Sequence, residues 1–261
     1  MLALDLYGDV ALRPCLDLDL LVPPADVERS ERLLTAAGYS PGPLGGRSRR
    51  WRQRQGQRAF YRPDGAQVDL HWRLLPAYFT ASSRVDSRAV PHTITLGGVA
   101  IRTLAPDSLL LQLSLHGTKH VWDRLKWIVD IARFVRRYEA LDWDRMLYGA
   151  RAAGTERMTL VGLWLARDLL EAKLPAAAVG RIDRDAVVAT LGRQVSAQLF
   201  DRHDASSMTF WPPWRFNIRA RERLTDKARC GLQLISALGL SDLPTAARRV
   251  LVPSADRPMS R

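Results

Sequence analysis

The sequence predicts an α+β protein: a small mixed sheet with its helices in residues 1–104, followed by an all-helical domain in residues 105–261. Three observations predict it. The run Leu16-Asp17-Leu18-Asp19-Leu20-Leu21-Val22 alternates apolar and acidic residues with the period of a strand. A second run, Val68-Asp69-Leu70-His71-Trp72, follows a turn at Pro63-Asp64-Gly65 and a strand candidate at Ala59-Phe60-Tyr61, the pattern of a hairpin. From Pro106 onward apolar residues recur at helical spacing and no strand pattern returns.

Taken in order, the first strand sends Leu16, Leu18 and Leu20 toward a core and Asp17 and Asp19 to the opposite face. Pro23-Pro24-Ala25-Asp26 then starts a helix, with proline in its first turn and an acid at its cap. That helix spans Val27 to Ala37, with Val27, Leu33, Leu34 and Ala37 inward and Gly38 as its stop. A Gly- and Pro-rich loop covers Ser40 to Gly46, and the stretch from Arg47 to Arg62 holds seven arginines and no acid. That stretch reads either as a track for triphosphate or RNA or as a solvated loop, with Trp51 and Tyr61 its only stacking surfaces. The hairpin brings Asp69 beside the first strand, and Ile94 to Ile101 adds a short β unit around Gly97-Gly98.

Ala105-Pro106-Asp107 opens a helix with Leu109, Leu110, Leu113 and His116 on one face, and Gly117 marks its end or a kink. A helix over Trp122 to Tyr138 places Leu125, Ile128, Val129, Ala132 and Val135 inward, with Lys126, Asp130, Arg133 and Arg137 outward. Further helices are predicted at Glu156 to Leu174, Asp185 to Phe200 and Phe216 to Leu238, with Pro212-Pro213, between Trp211 and Trp214, separating the last two.

Asp17, Asp19 and Asp69 converge if the two strands pair. Mg²⁺ takes carboxylates, water and substrate phosphates as ligands, and paired ions of this kind serve phosphoryl and nucleotidyl transfer. The alternative for Asp17 and Asp19 is the solvated face of an edge strand. His71 lies on the Asp69 face, where it orients a phosphate or a nucleophile or serves as a structural histidine. His116 and His120 stand four apart, a zinc spacing, but no Glu follows His116 in a His-Glu-x-x-His pattern and no cysteine lies near.

Arg13-Pro14, Asp17 to Val22, Val68 to Arg73, the segment Leu115-His116-Gly117-Thr118-Lys119-His120, and Trp122 to Asp130 together resemble the uncharacterised bacterial nucleotidyltransferase family, within the polymerase-beta-type nucleotidyltransferase superfamily. The resemblance runs from about Leu6 to Leu251-Val252-Pro253. It implies a metal-dependent transferase moving a nucleoside monophosphate from a nucleoside triphosphate to an acceptor, with release of pyrophosphate. Asp17, Asp19 and Asp69 are then the metal ligands and catalytic residues, with Mg²⁺ or Mn²⁺ as cofactor. Arg13, His71, Lys119 and His120 are the candidates for holding the nucleotide, with Lys126 a further point charge for phosphates. The acceptor is open: a protein, a small molecule or RNA. One departure stands out. The superfamily has a Gly-Gly or Gly-Ser turn upstream of the Asp-x-Asp, and this family a Lys-Gly, whereas the sole glycine between Met1 and Asp17 is Gly8. The expectation is therefore a chain shortened at its N-terminus, with a catalytically inactive binding or regulatory protein of the same fold as the alternative.

The net charge of +12 suits a polyanionic partner. Lysine occurs only at Lys119, Lys126, Lys173 and Lys227, so the excess is arginine, a skew that genome base composition produces as readily as function. Cys15 and Cys230 are too few for a disulfide framework, which points to the reducing cytoplasm. No apolar run approaches the ~20 residues of a membrane span, so no membrane partner is expected.

Overall fold

The computed structural model describes residues 1–42, 56–73, 92–200 and 213–237. Outside them lie most of the arginine-rich stretch, including Trp51, the Trp211-Pro212 pair, and the end of the last predicted helix at Leu238.

Helix α1 (Leu2–Tyr7) opens the chain and ends at Gly8, whose φ of 79° is the left-handed stop that glycine adopts without strain. A 3₁₀ turn at Val10–Leu12 leads to β1 (Leu18–Leu21), and a second at Pro24–Asp26 to α2 (Val27–Ala36). Then come β2 (Ser40–Pro41), β3 (Gln57–Tyr61) and β4 (Gln67–His71), which form one sheet in the order β1-β4-β3-β2. β3 and β4 are the antiparallel hairpin the sequence predicts, and β1 lies parallel to β4 with Asp19 opposite Asp69. A separate hairpin joins β5 (His92–Leu96) to β6 (Val99–Thr103).

The sheet packs Phe60, Val68 and Leu70 against Val22, Val27, Leu34 and Tyr39. Cross-strand partners share a face, so Leu18 and Leu20 lie on the side of Val68 and Leu70. They are not in the core, however: Leu16, Leu18 and Leu20 are 86%, 44% and 38% exposed. β1 is an edge strand, and alternation sets which way its leucines face without supplying a layer to cover them. Leu33 of α2 is likewise exposed, while Val27 and Leu34 of the same helix make the contact with the sheet.

The helices are α3 (Pro106–Lys119), α4 (Leu125–Arg137), α5 (Trp143–Ala153), α6 (Glu156–Leu170), α7 (Ala176–Arg184), α8 (Ala186–Phe200), α9 (Pro213–Arg219) and α10 (Leu224–Ala237). α6 is the central member, with every residue from Met158 to Ala166 buried, as a helix surrounded by helices must be. α5 starts where Asp142 accepts the Arg145 amide, a capping signal that sits in Leu141-Asp142-Trp143. The N-terminal α1 joins this helical core through Leu6. α3 runs straight through Gly117, because the ring of Trp122 occupies the place of a side chain there. A Cβ at Gly117 would stand 2.5 Å from that ring, and one at Gly162 2.7 Å from it.

Candidate active site

The parallel register of β1 and β4 puts Asp19 beside Asp69, and His71, two residues along β4, returns to the same face. Ligand atoms of Asp19, Asp69 and His71 lie within 4.8 Å of one another. His71 Nε2 is 2.8 Å from Asp19 Oδ1, and this hydrogen bond is the main cause holding the Asp19 carboxyl below the usual carboxylate range. Asp69 Oδ1 accepts from the Gln67 side-chain amide at 3.0 Å. The cluster is open to solvent, with the Asp19 side chain 72% exposed.

Asp17 immediately precedes β1 and stands outside that three-residue group. Partial desolvation, then the charges of Asp19 and Asp69, push its carboxyl up, and Lys126 pulls it back. All three predicted carboxylates thus share one electrostatic neighbourhood, and Lys126 reaches it from α4.

The end of α3 supplies the facing side. His116 and Lys119 both feel the Asp19 charge. Burial, reinforced by His120 and Lys119, lowers the His116 imidazole to about 4, so it is neutral at pH 7. Burial also lowers Lys119, with Asp19 opposing the shift, and lowers His120 with the help of Lys119. The His116 ring lies 4.8 Å from that of His120 and edge-on to Trp127 at 5.0 Å. Among the described residues no third metal-ligating side chain gathers with this histidine pair. The turn after α3 holds two successive residues, Val121 and Trp122, at φ 55° and 54°. That conformation costs non-glycine residues of order 1–3 kcal/mol each, and the burial of Trp122 against Gly117 and Gly162 offsets it.

Arg13 and Asp130 differ from the sequence reading. Asp130, predicted on the outer face of its helix, is fully buried. The Arg13 guanidinium donates to it through Nε at 2.8 Å and NH2 at 2.9 Å, and the Tyr7 hydroxyl donates to it at 2.7 Å. The buried face of α4 runs through Trp127, Ile128, Ile131, Phe134 and Val135, rotated from the predicted one, and leaves Leu125 exposed. The signal was present: Asp130 stands three residues after Trp127 and four before Phe134, which is core spacing. Arg13 is therefore engaged by a carboxylate and ties the approach to β1 onto α4.

Residues 1–171 match the model of a protein family described as uncharacterised nucleotidyltransferases. No curated protein and no solved structure matches the chain.

Proposed function

The chain belongs to the uncharacterised nucleotidyltransferase family, and from that premise we propose that it is a metal-dependent nucleotidyltransferase acting on a nucleoside triphosphate. The reading rests above all on the in-register pair Asp19 and Asp69 with His71 beside them. Residues 1–104 carry the carboxylates, and residues 105–261 present His116, Lys119 and Lys126 toward them. The donor set fits a divalent cation. Burial first, and then the like charges of Asp19 and Asp69, push the Asp17 carboxyl up, and a bound cation would relieve the charge part of that shift.

Asp17, Asp19 and Asp69 would hold Mg²⁺ or Mn²⁺, which when bound neutralises triphosphate charge and polarises the phosphoryl group. The chain's own residues do the rest. His71 fixes Asp19 through its hydrogen bond, leaving Asp19 presented for a ligand. Asp69 serves as the base near the acceptor hydroxyl or phosphate. Lys119 and Lys126 meet phosphate oxygens as compact charges, with neutral His116 on the same side and His120 packed against it as a further candidate contact. Arg13 acts through Asp130, as a positioning residue for β1.

Calorimetric titration with a nucleoside triphosphate tests the reading. Binding in Mg²⁺ or Mn²⁺ that disappears in EDTA is expected, because phosphate and carboxylate charges otherwise repel. Equal affinity in EDTA would overturn the metal assignment.

A further inference from the structure

A second concave site lies against α1. α1, β5 and α4 border an open cleft of about 780 Å³, the size of a small-molecule site. Arg133, Arg136 and Arg137 of α4 line it together, since spacings of three and four residues place them on one helix face. Arg133 lies over the Tyr7 ring and Arg137 over the Tyr138 ring, each 5.3 Å from the ring centroid. Stacking holds a guanidinium in place while leaving its N–H edge available. Among the described residues no carboxylate pairs with any of the three.

The single acid among the lining residues is Asp5. Its side chain is 4% exposed. Both of its oxygens accept from the Tyr138 hydroxyl, at 2.8 and 2.9 Å, and His92 Nε2 stands 4.0 Å away. That charge is satisfied below the cleft surface, so the open face is cationic.

We propose that this cleft binds a phosphate-bearing small molecule, independently of the divalent metal and of the Asp17, Asp19 and Asp69 cluster. Three guanidinium groups at one concavity exceed what a lone carboxylate engages, and they match a phosphate, whose oxygens accept paired N–H donors.

Titration of the full chain with inorganic pyrophosphate in EDTA, followed by calorimetry, tests the assignment. Saturable binding is expected. Arg136→Gln and Arg137→Gln should each weaken it by roughly tenfold, the loss of a charge-assisted contact. Both side chains are exposed, so the fold should survive even where Arg133→Gln, which unstacks Tyr7, does not. Asp19→Asn should leave pyrophosphate binding unchanged, which separates this site from the nucleotidyltransferase reading. Arg29→Gln, an exposed position on α2, should also leave it unchanged. Absence of saturable binding at millimolar pyrophosphate would overturn the proposal. So would unchanged affinity in the Arg136→Gln, Arg137→Gln double variant, or an equal loss in Arg29→Gln, which would mark general attraction to a basic surface.

Discussion

The β1–β4 sheet closes over Phe60, Val68 and Leu70, whereas α3 to α9 close over a continuous core that includes Leu110, Ile131, Phe134, Leu147, Leu163 and Leu191. In the helical region most apolar positions at helical spacing are buried, most completely in α6, which has helices on several sides. In the sheet region Leu18 and Leu20 face the same way as buried Val68 and Leu70 and still meet solvent. The proposed site sits on the thin region. The helical region is tied to it through Asp130, which holds Arg13 just ahead of β1, while His116 and Lys119 of α3 feel the Asp19 charge.

Cutting the tie between the two regions should have the largest effect. Asp130→Ala leaves the Arg13 charge and the Tyr7 hydroxyl without their buried partner and should cost about 3–5 kcal/mol, toward the lower figure because Arg13 is partly exposed. Urea unfolding measures it. Adding Arg13→Met should recover much of the loss, and a single-variant cost under about 1 kcal/mol would show that the regions are not coupled through this pair.

Asp19→Ala should separate function from stability within the sheet region. Turnover should fall at least ~10²-fold, equal to ~2.7 kcal/mol of barrier, while the melting temperature falls only slightly, because the His71 hydrogen bond that is lost sits on a solvent-exposed side chain. A variant that melts several degrees lower yet keeps its activity would make Asp19 a structural residue.

The pH dependence of His116 distinguishes the side facing the carboxylates. Its folded value of about 4 lies below the ordinary 6.5, so between these values the unfolded chain binds more protons than the folded one. Stability contributed by keeping it neutral is therefore full above pH 6.5 and is lost as pH falls toward 4. The loss is roughly 2 kcal/mol between pH 7 and 5. Denaturation curves across that range should show a shallower decline in His116→Gln, and identical slopes would place the imidazole in solvent.

The smallest effect is expected at the exposed edge. Leu18→Ser or Leu20→Ser should cost under about 1 kcal/mol, against about 2–5 kcal/mol for Leu70→Ala on the adjacent strand. Comparable losses at both positions would mean that another layer covers β1 in solution.

Much of this was legible in the residues. Period-two alternation located β1 and β4 and the Pro63-Asp64-Gly65 turn closed the β3–β4 hairpin, while the parallel pairing that sets Asp69 beside Asp19 was legible only as a condition. Helical spacing located α3, α6 and α8. The sequence reading missed α1, α5 and α7, the first because six residues carry too little periodicity, and it joined α9 and α10 into one helix from Phe216 to Leu238. It also placed Asp130 on the wrong face, since a charged residue on an amphipathic helix is ordinarily solvated and only its partners from α1 and the Arg13 loop make it a core residue.

By itself, then, the sequence determined local directions: where β1, β4 and the longer helices run, that Asp17 and Asp19 share one face of their run, and that Asp69 and His71 share one face of theirs, because backbone sterics fix the side-chain period. Tertiary structure alone decided what covers each face. It buried Asp130 and exposed Leu16, Leu18 and Leu20, set His71 on Asp19, and gathered Arg133, Arg136 and Arg137 around a cleft with α1. Burial and pairing depend on elements distant in the chain, and no local period records which of them arrive.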